Sequence, residues 1–176
     1  GRRTDSSTPA AHGCVATDGL YRVCRRRSAR SASSVSATWM AKGTGADEAT
    51  AMVRSNPQAA AATGYDPAQG DLVRVEQVQV TPNPVSAGGT VNLLVTYSVL
   101  VPQSDRTVAV RETREVRHDG ALVANPTTEF QRQGGTFTSA MPVTLPATAR
   151  RGLYEVTTTV ALGDRVSRGV TTFQVQ

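Results

Sequence analysis

Aromatic, histidine and cysteine residues are scarce in this 176-residue chain. Aromatics make up 5%, and there are two histidines, two cysteines and one tryptophan. Two cysteines exclude a four-cysteine zinc site and a disulfide-dense mini-fold. No stretch approaches the roughly 20 apolar residues that a membrane-crossing helix needs, so no transmembrane segment is expected. Apolar residues total 39%, below the usual share, and most of the aliphatic load is Val and Ala. The length fits one domain, or one domain with a tail. The chain opens on glycine with no apolar leader, which reads as a processed or truncated product. Lys42 is the single lysine among 19 basic residues. That arginine bias, with so much Ala, Val and Gly, points to a G+C-rich coding sequence and a bacterial source.

Charge is unevenly spread. Residues 1–70 carry 9 basic and 5 acidic side chains, residues 71–176 carry 10 and 9. The excess is densest at Arg22, Arg25, Arg26, Arg27 and Arg30. Such a run attracts nucleic acid, anionic lipid or acidic polysaccharide, or is simply a solvated arm, which is the favoured reading. The balanced C-terminal part lacks the basic stripe of a nucleic-acid-binding domain, so no specific nucleic-acid partner is expected. Cys14 and Cys24 flank VATDGLYRV, whose Asp18-Gly19 turn would let a hairpin bring the sulfurs together. A disulfide is favoured and suits an exported protein; two free thiols are the alternative. His12 makes half of an H-x-C metal site, but the other histidine, His118, is far away, so no metal or other cofactor is expected.

Residues 1–38 are too poor in apolar side chains for a core of their own. Residues 46–55 form the best helix candidate: Asp47 and Glu48 suit its first turn, Arg54 its last, and Pro57 would stop it. Residues 1–70 therefore read as an irregular arm with one short helix. The texture changes at Asp71. Val73 and Val75 share one parity and Val78 and Val80 the other, with a bulge expected at Glu76-Gln77. Val91, Leu93, Val95, Tyr97, Val99 and Val101 give the cleanest period-two face. Val108, Val110 and Val116 share a face with Glu112 and Arg114, which reads as a long strand running past the core at one end. Phe137, Met141, Val143 and Leu145 are in phase, as are Tyr154, Val156, Val160 and Leu162; Gly163-Asp164 closes a hairpin. Gly169 would permit a parity change between Val166 and Phe173. Seven or eight short strands, with turns every 8–12 residues or so, imply an all-β antiparallel sandwich over residues 71–176.

Catalytic patterns are sparse. G-x-S-x-G, H-E-x-x-H, phosphate-loop and EF-hand motifs do not occur. His118 heads the His118-Asp119-Gly120 turn and reads as an exposed hairpin tip, a poor place for a nucleophile's base. Glu112 and Glu115 fall on opposite strand faces. Glu112 with Arg114 reads as an ion pair at a strand end, and Asp105 beside Arg106 as loop charge. Tyr97, Phe130, Phe137, Tyr154 and Phe173 fall in core phase, where packing accounts for them. The chain is therefore read as non-enzymatic.

VTPNPVSAGGTVNLLVTYSV, LPATARRGLYEV and the final VTTFQV give residues 71–176 a resemblance to bacterial immunoglobulin-like domains. The resemblance implies that Gly152-Leu153-Tyr154 opens the penultimate strand and that Tyr154 is a corner tyrosine whose hydroxyl ties to nearby backbone. The antibody-type disulfide and core tryptophan are missing: no cysteine follows Cys24, and Trp39 lies outside the segment. With the approach GYDPAQGD, this part is also similar to the C-terminal portion of glycine-zipper envelope proteins, although residues 1–70 lack small-xxx-small repeats. An exported location follows as an expectation: bacterial periplasm, outer-membrane surface or extracellular space. The expected role is a structural or adhesive module. Its partner would be itself, as a homo-oligomer, fibre or surface layer built by strand addition, or another envelope protein. The alternative is an accessory domain for acidic envelope polysaccharide or peptidoglycan, with loops around Asn83, Asp105 and Asn125 as its site.

Overall fold

Valine and threonine at alternating positions fill a pleated, half-buried surface well, and they set the architecture. The computed structural model describes residues 40–41 and 49–176. Ten strands occur among them: β1 (Met40–Ala41), β2 (Ala49–Ser55), β3 (Leu72–Thr81), β4 (Thr90–Leu100), β5 (Val108–His118), β6 (Ala121–Ala124), β7 (Thr127–Arg132), β8 (Gly135–Thr144), β9 (Gly152–Leu162) and β10 (Arg165–Val175). One sheet runs β1-β8-β4-β3, with β2 also on β8. The other runs β10-β9-β5-β6, with β7 also on β5. All these pairings are antiparallel. Eight strands thus lie between residues 72 and 175, and the crossovers from β4 to β5, from β7 to β8 and from β8 to β9 make this an immunoglobulin-like sandwich.

The period-two faces meet between the sheets. Val91, Leu93, Val95, Tyr97, Val99 and Val101 are all buried, Phe137 and Val143 lie beside them on β8, and Tyr154, Val156, Val160 and Phe173 face them from β9 and β10. The bulge expected in β3 falls between Val75 and Gln77. It returns Val78 and Val80 to the interior after Val73 and Val75.

Three expectations need correction. The helix expected over 46–55 is not found in the described part of that segment: β2 covers 49–55, and helix α1 (Asn56–Thr63) follows. Pro57 sits in the first turn of α1, where the missing N–H is harmless, so it starts a helix where it was expected to stop one. The alanine run after it supplies the helix, and Gly64 ends it at φ +68°. β2 pairs with β8, so the sheet begins ahead of residue 71. Second, β10 keeps one register on β9 from Arg165 to Val175, with no parity change at Gly169. Val166 and Val170 simply point outward. Third, the inward row of β5 is buried through Glu112 and Arg114, so that strand does not run past the core.

α1 lies against β4 and β8. It covers one end of that sheet's outer face, which is why Ser98 and Thr136 are buried although they point away from the core. β1 pairs with Val143 and Thr144 of β8 and β2 with residues 135–140, so Pro142 lies between the two described pairings. Proline offers no N–H for an edge strand to meet there. Where β3 meets β10, a Cβ on Gly169 would lie 2.4 Å from Val78 Cγ2 and 2.9 Å from Val75 Cγ1. Those valines are stiff at χ1 and cannot swing aside. G169A is therefore expected to lower unfolding free energy by about 1–3 kcal/mol, measured by chemical denaturation. A change within about 0.5 kcal/mol would mean that β3 and β10 do not approach this closely.

Candidate functional site

Three inward rows change from aliphatic to polar at the same level. On β5 the row reads Val108, Val110, Glu112, Arg114, Val116. On β9 Thr158 pairs with Arg114 in register, and on β8 Ser139 sits between Phe137 and Met141. Glu112, Arg114, Ser139 and Thr158 are all fully buried. They divide the aliphatic core into two lobes. One holds Leu93, Val116, Met141, Val143, Tyr154 and Phe173; the other holds Val95, Val99, Val110, Phe137 and Val160.

The layer joins the sheets through Glu112. Its Oε1 accepts from the Tyr97 hydroxyl at 2.5 Å. Its Oε2 accepts from Arg114 Nη2 at 2.9 Å and from Ser139 Oγ at 2.8 Å. Arg114 Nη2 also reaches Ser139 Oγ at 3.1 Å. Burial, and the Glu112 carboxylate beside it, raise the Tyr97 hydroxyl pKa, so that proton stays on the phenol. Arg132 closes the layer at the β2–β7 side. Its Nε donates to Tyr97 Oη at 3.3 Å, its Nη2 to Thr50 Oγ1 at 3.1 Å, and its guanidinium lies 4.1 Å from the Phe130 centroid. The Glu112–Arg114 ion pair expected from the sequence is present, but it is an interior tie and does not sit at a strand end.

A second polar chain lies under α1. Glu76 accepts from Ser98 Oγ at 2.6 Å and from Arg54 Nη1 at 2.8 Å, and Ser98 meets Thr136 at 2.7 Å. Burial alone would raise the Glu76 pKa, but the Ser98 and Arg54 bonds outweigh it and hold the carboxyl below its ordinary value.

Tyr154 Oη donates to the Arg150 carbonyl at 2.8 Å, four residues upstream. Its ring stacks between His118, at 4.3 Å, and Phe173, at 5.3 Å. Gly152, at φ +135°, leaves the room: a Cβ there would come within 2.9 Å of His118 Nε2. His118 is therefore packed on Tyr154, with a side chain only 10% exposed, and is not an open hairpin tip. Glu115 points away from Glu112 and meets Arg117 at 3.6 Å.

The loops once grouped as a binding site do not converge. Asn83 belongs to the β3–β4 connection and is engaged with β10: its Oδ1 accepts from Gln174 N–H at 2.9 Å. Asp105 belongs to the β4–β5 connection, at the other end of the 11-residue strand β4. That separates them by roughly 30 Å. Asn125 sits between β6 and β7 on a sheet edge. Next to the β4–β5 connection an open cleft of about 730 Å³ is lined by Asp71, Arg106, Asp164 and Arg165, with Arg106 bonded to Asp71 at 2.7 Å. Cys14, Cys24, His12 and Arg22, Arg25, Arg26, Arg27 and Arg30 lie outside the described residues. Among those described, no three His, Cys, Asp or Glu side chains gather as metal ligands, and no helix is long and apolar enough to cross a membrane.

No family model matches the chain, and no curated protein matches it in sequence. Some solved structures are similar to part of the chain at low identity. An alkylpurine DNA glycosylase, AlkC, from Pseudomonas fluorescens is 16% identical over 61% of this chain and 31% of its own, with a TM-score of 0.42. The sporulation control protein Spo0M from Bacillus subtilis is 14% identical over 60% and 49%, with a TM-score of 0.44. A CARDB domain from Pyrococcus furiosus, in complex with di-metal ions, is 14% identical over 60% and 87%, with a TM-score of 0.36. The chain therefore matches less than half the length of the first two.

Two measurements check this geometry. E112A leaves the Arg114 charge buried without its carboxylate and is expected to cost about 3–5 kcal/mol. The double variant E112L/R114M, which removes both charges, should lose less than E112A. An additive loss in the denaturation cycle would contradict a coupled buried pair. Glu76 titrates lower in the folded chain than unfolded, so its stabilisation is present above the unfolded pKa and fades as pH falls through the folded one. E76Q should flatten the stability–pH curve below about pH 4.5; an unchanged slope would place the Glu76 carboxyl free in solvent.

Proposed function

We propose that this chain is a non-enzymatic structural or adhesive module of an exported or cell-envelope protein, and that copies assemble by exchanging their N-terminal strands. The observation that carries the reading is how β1 and β2 join the fold. They come ahead of the sandwich in sequence, and their backbone pairing is with β8 alone, at its edge. A neighbouring copy offers β8 the same backbone partners, so exchange would build a fibre or layer without new chemistry. The interior titratable groups support a scaffolding role, because Tyr97, Glu112 and Arg114 spend their polar atoms on one another and on Ser139. The exported setting rests on the sequence resemblance alone. Binding of acidic envelope polysaccharide is the second reading, favoured by Arg106 and Arg165 at the open cleft. Asp71 and Asp164 balance those charges, which is why assembly ranks first.

Ala51 on β2 and Thr138 on β8 are register partners, and their spacing suits a disulfide. In a background with both native cysteines replaced by serine, full-length A51C and T138C chains mixed under mild oxidation should give A51C–T138C heterodimers. The oxidised double variant should close within one chain and lose assembly. If the mixture yields no heterodimer and the particle size of the double variant matches the parent, strand exchange is wrong.

A further inference from the structure

Five large apolar side chains among the described residues are more than half exposed, and three of them, Leu153, Val166 and Val170, lie on the outer face of β9 and β10. The register of the two strands orders that face into cross-strand rows. Val166 pairs with Ala161, Arg168 with Thr159, Val170 with Thr157, Thr172 with Glu155, and Gln174 with Leu153. Val170 and Thr157 form the middle row. Arg168 lies one row to one side, and Glu155 one row to the other. Neither has an ion-pair partner among the described residues.

This pattern is complementary to itself. Consider a half-turn about an axis that lies in the face, crosses the strands at right angles and passes through the middle row. It lays each row of one copy on the row equally far beyond the centre of the other. Val170 meets Val170. Arg168 comes to lie over Thr172, one strand spacing, about 4.8 Å, from Glu155 of the second copy. Leu153 comes to lie over Ala161, beside Val166. Apolar side chains meet apolar ones, and each unpaired charge meets its opposite twice, as an isologous contact requires. Threonine at 157, 159 and 172 keeps the rows low. On the next strand Glu115 shares the middle row, being the register partner of Thr157, and would face its own copy. Each Glu115 already has Arg117 at 3.6 Å, and twisted sheets stacked face to face diverge away from the crossing line. The contact therefore centres on β9 and β10.

We propose that the outer face of β9 and β10 is a docking surface for a second copy of this chain, in a two-fold, face-to-face pair. The surface is separate from the β2 edge, so the pair would form whether or not strands are exchanged. The test uses the full chain and sedimentation equilibrium. Wild type should dimerise. R168E and E155R should each weaken the dimer by roughly tenfold, since each reversal touches two symmetric contacts, while R168E/E155R recovers most of the loss. V170D, which puts two carboxylates on the axis, should give monomer. All three positions point outward, so circular dichroism and thermal midpoints should stay at wild-type values. A wild-type chain that remains monomeric up to millimolar concentration would overturn the proposal. So would single reversals that leave the dissociation constant unchanged, or a double reversal that recovers nothing. A monomeric wild type would count against both ideas, whereas unchanged single reversals or a double reversal without recovery would overturn this one alone and leave the β2–β8 cross-link untouched.

Discussion

A carboxylate and a guanidinium held in the dry space between two sheets set the terms for the rest of this fold. Taking each ion out of water costs several kcal/mol, and their attraction offsets that only when the geometry is good and the remaining polar atoms find partners. Glu112 meets the condition by using both oxygens, one toward Tyr97 and one toward Arg114 and Ser139. Tyr97 and Ser139 come from the sheet opposite β5, so the network fixes how the sheets sit on each other. A one-residue slip of β5 would turn both charges outward and Thr113 and Glu115 inward, with nothing arranged to receive them. The aliphatic lobes on either side contribute most of the burial. The polar layer between them determines which alignment of those lobes is allowed.

The margins follow the same logic of giving each edge a partner or a break. At one side β3 and β10 meet: Val75 N–H donates to Ser167 Oγ at 2.9 Å, and Val85 exchanges backbone bonds with Gln174 and Gln176. At the other side β6 and β7 share the edge of β5 and are interrupted near Pro126, whose carbonyl takes the Arg114 N–H. Arg132 crosses from β7 to Thr50 on β2 and so ties the two sheets there. Broken edges of this kind limit uncontrolled pairing between molecules. β2 pairs along one side only, on β8, and the outer face of β9 and β10 carries three of the five large exposed apolar side chains among the described residues.

Much of this was legible in residue order. Periodicity in β4 and β9 needs only each residue's neighbours two positions away, and the phase slip in β3 is visible because Val75 and Val78 disagree. The helix was misplaced because Pro57 has two opposite meanings, helix stop or first-turn residue, and the alanines that decide between them follow it. Glu112 and Arg114 were read as overhang because charge outweighed phase. The signal was present: Val108, Val110 and Val116 keep the same parity on both sides of the pair, and Ser139 and Thr158 interrupt their own inward rows. That these four positions share one level could not be read locally, since Ser139 and Thr158 lie 25 to 46 residues from the pair on β5 and the level depends on register between those strands. The separation of Asn83 from Asp105 was hidden for the same reason.

In the proposed structural role, interior charge is a device for uniqueness, and the surfaces would carry the function. Native-state hydrogen exchange, followed residue by residue, tests the central claim most directly. If the polar layer ties the sheets, the amides of Glu112, Arg114, Ser139 and Thr158 should exchange only through global unfolding, with the same free energy as those of Val110 and Val156. Faster exchange at the four polar positions than in the aliphatic lobes around them would show the layer opening by itself, and would contradict the account.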